Sequence, residues 1–220
     1  MPKINMPKSS PSLDMTPMVD LAFLLVTFFM LTASVRVDEP VIVDMPATIS
    51  EKILPKNTMM VTVDKDCRLF FNMDNGAIRI QALEEMGNIY KVTFTDKEKN
   101  VFAKLGSFGV PIKNLPAYLD MDDIARSKYK SQGIPVDTTA NNEIGDWLRV
   151  GYNKAGGKYN TDRRKAKDNG AEYKGEPPRL SIKADGKTNY LCVQQVINVI
   201  KKKDLEPRIN FITNLEDEPK

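Results

Sequence analysis

Residues 18–35 read MVDLAFLLVTFFMLTASV, an apolar run interrupted by one charge, Asp20, and nothing later in the chain matches it. At about 1.5 Å per residue such a helix rises about 27 Å, close to a hydrocarbon core of about 30 Å, so the pattern predicts one membrane crossing over residues 17–35. Residues 193–200 (VQQVINVI) are short and broken by Gln194, Gln195 and Asn198, so the rest of the chain is expected outside the bilayer. Beyond the linker, residues 59–63 (MMVTV) alternate as a strand, and residues 67–71 (CRLFF) read as its hairpin partner across an Asp64-Lys65-Asp66 turn. Near the C-terminus, residues 179–185 read as a strand and residues 209–213 as a closing strand. Residues 188–203 between them form an amphipathic helix with Tyr190, Val193, Ile197 and Ile200 on one face.

The stretch between these blocks, about residues 76–178, is too long for a structureless loop in a compact domain. Residues 80–90, 121–129 and 142–153 look helical, the last placing Ile144, Trp147, Leu148 and Val150 on a partly apolar side. Residues 154–178 are rich in Lys, Arg, Gly, Asn and Asp and read as a mobile basic loop. The expected fold class is therefore α+β: a transmembrane helix followed by a small mixed α/β domain carrying a large, partly helical insertion. Its parts are a tail over 1–16, the span over 17–35, an extended linker over 36–58, the domain over 59–215 and a tail over 216–220.

The competing reading of the apolar run is a cleaved signal peptide, with Lys3 and Lys8 as its basic region and Thr32-Ala33-Ser34 as a small-residue cleavage site. Against it, the run exceeds an h-region of about 7–15 residues and carries an acid near its start. Lys3 and Lys8 precede the span, whereas Arg36 is followed at once by Asp38 and Glu39, which favours a cytoplasmic N-terminus and a periplasmic domain in the inner membrane of a Gram-negative cell. Only Cys67 and Cys192 are present, so the domain either forms one intramolecular disulfide or keeps two unpaired cysteines.

A net charge of +3 gives no support to a nucleic-acid partner, which requires a concentrated basic face. The absence of histidine removes Ser-His-Asp, Cys-His and His-based metal sites, and two distant cysteines cannot supply a Cys₄ zinc site. Gly106-Ser107-Phe108-Gly109 lacks the Lys-Ser/Thr of a phosphate-binding loop and reads as a turn. No metal, cofactor or catalytic residue is expected, and the chain is not read as an enzyme. Arg163-Arg164-Lys165-Ala166-Lys167 is either a solvated charge run or a contact for anionic headgroups or cell-wall polymer. Trp147 with Tyr152 is either a core anchor for the insertion or a recognition surface for peptidoglycan or a partner.

The chemistry-bearing position is Asp20. An Asp at the centre of a membrane helix costs about 2.5–3.5 kcal/mol on insertion scales, and such residues face a partner or a proton path. Thr16 can cap the helix and Pro17 fits its first position, which puts Asp20 in the first turn near the cytoplasmic end. Thr27 and Ser34 share its sector, giving the helix one polar-dotted face, unless each hydroxyl bonds back to its own helix.

Asp14-Met15-Thr16-Pro17-Met18-Val19-Asp20-Leu21 followed by LLVTFFMLTAS resembles the signature of the ExbD/TolR family, in which an acid or asparagine precedes Thr-Pro, two residues and the membrane Asp. Residues 41–47 (VIVDMPA) are similar to the extended segment that follows the span in ExbD proteins, with Met45 in place of Leu. That segment is either a strand able to add to a sheet edge in its own dimer or in a partner, or a plain linker. The resemblance implies that Asp20 is the proton-coupling carboxyl and that an ExbB/TolQ-like polytopic partner surrounds the helix. It further implies a TonB-like partner, a homodimer within the complex, and a wall contact of the TolR kind to peptidoglycan. The expected function is an accessory subunit of a proton-driven motor energising TonB-dependent transport. Alternatives are TolR-like envelope maintenance, a gliding or secretion motor, and a non-motor single-pass envelope-binding module.

Overall fold

The computed structural model describes residues 15–32, 40–41, 43–45, 47–48, 57–135, 142–203, 205, 208–212 and 214–215, and the chain divides into two units, Met1–Arg36 and Val37–Lys220. The first unit contains α1 (Thr16–Thr32). The second runs β1 (Ala47–Thr48), β2 (Thr58–Val63), β3 (Leu69–Met73), α2 (Gly76–Tyr90), α3 (Asp96–Lys104), α4 (Leu115–Asp120), α5 (Asp123–Lys128), α6 (Glu143–Asp168), β4 (Arg179–Ala184), α7 (Tyr190–Lys202), β5 (Arg208–Ile212) and β6 (Asn214–Leu215).

Alternation in β2 and β3 sends Met59, Val61 and Val63 to the same face as Met73, Phe71 and Leu69, their antiparallel partners. β4 joins β2 in parallel with Ile182 opposite Val61, and β5 joins β4 with Phe211 opposite Ile182, giving the order β3-β2-β4-β5. The chain therefore leaves β3, makes all of α2 to α6, and returns beside β2. The hairpin strand starts at Leu69 rather than Cys67, because Cys67 takes a left-handed conformation (φ 60°) inside the turn. β1 pairs in parallel with β6 of its own chain, Ala47 opposite Asn214 and Thr48 opposite Leu215. The segment after α1 thus meets its own domain; Ile42, Pro46 and residues 50–56 lie outside the described residues.

Local signals set the helix boundaries. Asn75 caps α2 by accepting from Ala77 N and Ile78 N at 3.1 and 3.3 Å, and Lys91 closes it in the left-handed region. Thr95 and Glu98 form a reciprocal capping box on α3. The helix expected over 121–129 is α5, one short helix over Asp123–Lys128, and a second short helix, α4, precedes it over Leu115–Asp120. Arg126 donates to the Leu119 and Met121 carbonyls at 3.2 and 2.6 Å, closing the end of α4.

Residues 154–168 are not a basic loop but the second half of a 26-residue α6, so the Arg163–Lys167 cluster lies on a helix. Once its first half is anchored by buried Ile144, Trp147, Leu148 and Val150, each further residue adds one backbone hydrogen bond, and Lys, Arg and Ala tolerate this well despite Gly156 and Gly157. In α7 the buried stripe is Cys192, Val196, Val199 and Ile200, with Val193 and Ile197 at its margin, while Tyr190 is 69% exposed.

The insertion shares the sheet's core. Phe71 from β3, Phe102 from α3, Phe108 and Trp147 from α6 are all essentially inaccessible, with Trp147 ring centroids 5.0 Å from Phe108 and 6.2 Å from Phe71. Trp147 is a core anchor and is not available as a recognition surface. Phe108 exchanges both backbone bonds with Phe71 at 2.8 and 2.9 Å, so residues 106–109 serve the edge of the sheet.

Candidate functional site

α1 begins one residue earlier than its Thr-Pro pair suggests: Thr16 is its first residue, and the Met15 carbonyl accepts from Val19 N at 3.0 Å. Pro17, second in the helix, still sits where a missing N–H breaks no bond. Asp20 consequently falls fifth, at the start of the second turn rather than in the first. Its side chain is exposed and makes no hydrogen bond or ion pair among the described residues. The Thr27 hydroxyl, in the same sector, donates to the Leu24 carbonyl at 3.0 Å, so it is satisfied by its own helix. Asp14 and Ser34 lie outside the described residues.

Around Asp20 the helix presents a continuous apolar surface, with Phe23, Leu25, Phe28 and Met30 all exposed. Among the described residues no helix is long and apolar enough to cross a membrane; α1 comprises seventeen residues. What α1 offers chemically is one carboxyl, Asp20, as the only ionisable side chain on a predominantly apolar helix.

Within the domain, ionisable groups cluster where α2, α6 and α7 meet. Asp146, buried in the first turn of α6, accepts from the Tyr90 phenol at 3.0 Å and from Lys203 Nζ at 2.9 Å, with Arg149 at 3.4 Å. Burial raises the Tyr90 phenol above its ordinary value, and the hydrogen bond to Asp146 pushes it the same way. One turn away, the Glu143 carboxylate accepts from Ile112 N at 2.8 Å. Burial raises its pKa, and the Ile112 N–H and the nearby Trp147 indole N–H oppose that only in part. The indole N–H itself falls short of hydrogen-bond geometry and has no acceptor among the described residues. Arg79 is buried with its guanidinium on the Phe102 and Gly106 carbonyls at 3.3 and 2.9 Å. Burial lowers its pKa to about 10, against the pull of Asp74, so it stays charged at neutral pH. Tyr90–Asp146 and Ile112–Glu143 tie parts of the insertion to one another, Lys203 ties the end of α7 to α6, and Arg79, which also donates to the Met73 carbonyl, ties α2 to β3. They escape notice in the sequence because Glu143 and Asp146 in a first turn look like ordinary complements of the helix dipole.

Two further contacts bear on how the post-helix segment is held. Asp185, in the turn after β4, accepts from Asp44 N at 3.2 Å, and Gly186 N donates to the Asp44 carbonyl at 2.7 Å. Val43 beside them is buried. The Lys187 N–H, first, and then the Asp44 N–H hold the Asp185 carboxyl below its ordinary value. Cys67 and Cys192 are joined in a disulfide, with a Cα–Cα distance of 5.6 Å, tying the β2–β3 turn to the first turn of α7. Among the described residues no group of acids and cysteines is placed to hold a metal ion.

The family model described as Biopolymer transport protein ExbD/TolR matches residues 6–214. The chain belongs to the ExbD/TolR family. No curated protein and no solved structure matches it. The matched range spans the insertion, α2 to α6, as well as the flanking strands. Membership supports a general accessory role in transport or motor complexes, and a chain of this family is not an enzyme.

Proposed function

We propose that this ExbD/TolR chain is the accessory subunit of a proton-motive-force-driven inner-membrane motor, with Asp20 as its proton-coupling carboxyl. In this reading the span over residues 17–35 crosses the bilayer surrounded by a polytopic ExbB/TolQ-like partner, and a second copy of the chain sits within the same complex. The N-terminus is cytoplasmic and the disulfide-bearing domain is periplasmic, an oxidising space in which Cys67–Cys192 persists. The domain passes work to a TonB-like protein that serves outer-membrane transport.

The observation that carries this reading is a single carboxyl, without a hydrogen bond or ion pair among the described residues, on a mostly apolar helix whose Thr27 and Thr32 hydroxyls are satisfied by their own backbone. An ionised carboxylate only accepts hydrogen bonds and cannot be satisfied by one helix, so it draws either a proton or a polar partner. A proton falling through the membrane potential releases about 2.3 kcal/mol per 100 mV. Neutralising Asp20 changes how its helix sits among partner helices, and repeated loading and release turns that preference into motion.

Asp20→Asn keeps the shape and removes the acidic group. The variant is expected to co-purify with its polytopic partner yet fail to support energised uptake in cells lacking the native chain. Normal uptake with Asp20→Asn would overturn the proposal. Recovery of the native chain from membranes without any polytopic partner would favour an anchored envelope-binding module instead.

A further inference from the structure

The second half of α6 projects past the core and should be bare, yet residues 171–178 return alongside it and bring the Tyr173 ring to 5.5 Å from the Tyr159 ring at 64°. The return is built. Gly175 packs directly against the far end of the Tyr173 ring, and Asn57 Nδ2 donates to the Glu176 carbonyl at 3.4 Å. Between this aromatic corner and the β3–α2 turn lies a cleft of about 450 Å³, within the range of ligand sites.

The polar groups that line it are not consumed by the fold. Asp74 uses one oxygen for Thr58 N and Asn75 uses its carbonyl to cap α2, but the Asp162 and Glu176 carboxylates have no ion pair or side-chain hydrogen bond among the described residues. Three carboxylates, Asp74, Asp162 and Glu176, face one ammonium, Lys158. Burial first, and Asp162 and Tyr159 after it, raise the Tyr173 phenol above its ordinary value. Aromatic faces backed by carboxylates attract cations. A neutral saccharide would use the rings but has no use for the excess of acid.

We propose that this cleft binds the ammonium or guanidinium side chain of a Lys- or Arg-bearing peptide segment of another protein, seated in the Tyr159–Tyr173 corner with its charge against Asp162 and Glu176. The basic residues Arg163, Arg164, Lys165 and Lys167 further along α6 cancel long-range attraction. Binding therefore rests on contacts inside the cleft and depends only modestly on salt. The proposal is independent of Asp20.

The test uses the full-length protein in uncharged detergent, with fluorescein-labelled acetyl-tetralysine as probe and tetraglutamate and chitotetraose as competitors. Tetralysine is expected to bind, to weaken about tenfold in Asp162→Asn/Glu176→Gln and in Tyr173→Leu, and to tighten in Lys158→Glu, which leaves every other lining group in place. Asp168→Asn on the same helix is expected to change nothing. Absence of binding, equal binding by the native protein and by Asp162→Asn/Glu176→Gln, a Lys158→Glu variant that does not tighten, or displacement by chitotetraose or tetraglutamate each overturns the assignment.

Discussion

Lys203, at the end of α7, donates to Asp146 in the first turn of α6 at 2.9 Å, and the same carboxylate holds the Tyr90 phenol of α2. One side chain thereby links three helices that the sequence separates widely. Asp146→Ala leaves a lysine and a phenol facing each other in a largely buried site. Removing one partner of a buried pair costs about 3–5 kcal/mol, and Lys203 keeps some solvent, so a loss near about 3 kcal/mol is expected. Urea denaturation followed by fluorescence of Trp147, the only tryptophan, measures it directly. An unchanged midpoint would mean that the Asp146 contacts contribute nothing net.

Glu143 makes a pH-dependent contribution whose sign follows from its raised pKa. The folded state holds that proton more tightly than the unfolded chain does. The contribution is fully present below the unfolded value and is lost as pH rises through the folded value. Glu143→Gln keeps an acceptor for Ile112 N and cannot ionise. Its stability relative to the native protein is expected to increase between pH 4 and pH 8, as read from paired denaturation curves. A difference independent of pH would show that Glu143 has no raised pKa in the folded state.

Asp185 titrates with the opposite sign. Its lowered pKa means that its contribution is present above the unfolded value and fades as pH falls through the folded value. Asp185→Ala removes the acceptor for Asp44 N and Lys187 N. Faster amide exchange at Asp44 and Lys187 is the expected readout, with β2 and β4 unaffected. Equal exchange rates would disconnect this carboxyl from the hold on residues 43–45.

The central core tests the docking of the insertion. Trp147 is fully buried against Phe71, Phe102 and Phe108. Trp147→Ala is expected to cost about 3–5 kcal/mol. If the sheet and the insertion are one cooperative unit, a single transition persists, at a lower midpoint, by circular dichroism. Two separated transitions would reveal independent units.

What the sequence made legible follows from period and punctuation. The β2–β3 hairpin, β4 and β5 carry short β-rich runs between turn residues, and the structure places strands there within two residues. The extension of α6 was hidden because Gly156-Gly157 and a wholly polar surface look like a loop, whereas the helix is held from its buried first half. The face of α7 was misjudged by a fraction of a turn: alternative stripes pass through Val193 and Ile197, and the bond from Cys192 to Cys67 belongs to the one that turns inward. At the membrane-type helix the Thr16-Pro17 pair located the start to one residue, which moved Asp20 by the same step. The Asp146 linkage was invisible, since its partners lie in two other helices and no local pattern marks them.

Because Cys67 precedes α2 and Cys192 follows β4, every residue of the insertion belongs to a covalent ring closed by two cysteines 125 positions apart in sequence. A cut anywhere inside that ring separates no fragments until the bond is reduced. A ring also absorbs growth readily: doubling a flexible loop adds only about 0.6 kcal/mol of closure cost. Large helical additions between β3 and β4 can therefore arise and diverge without loosening the two ends that the domain's sheet depends on.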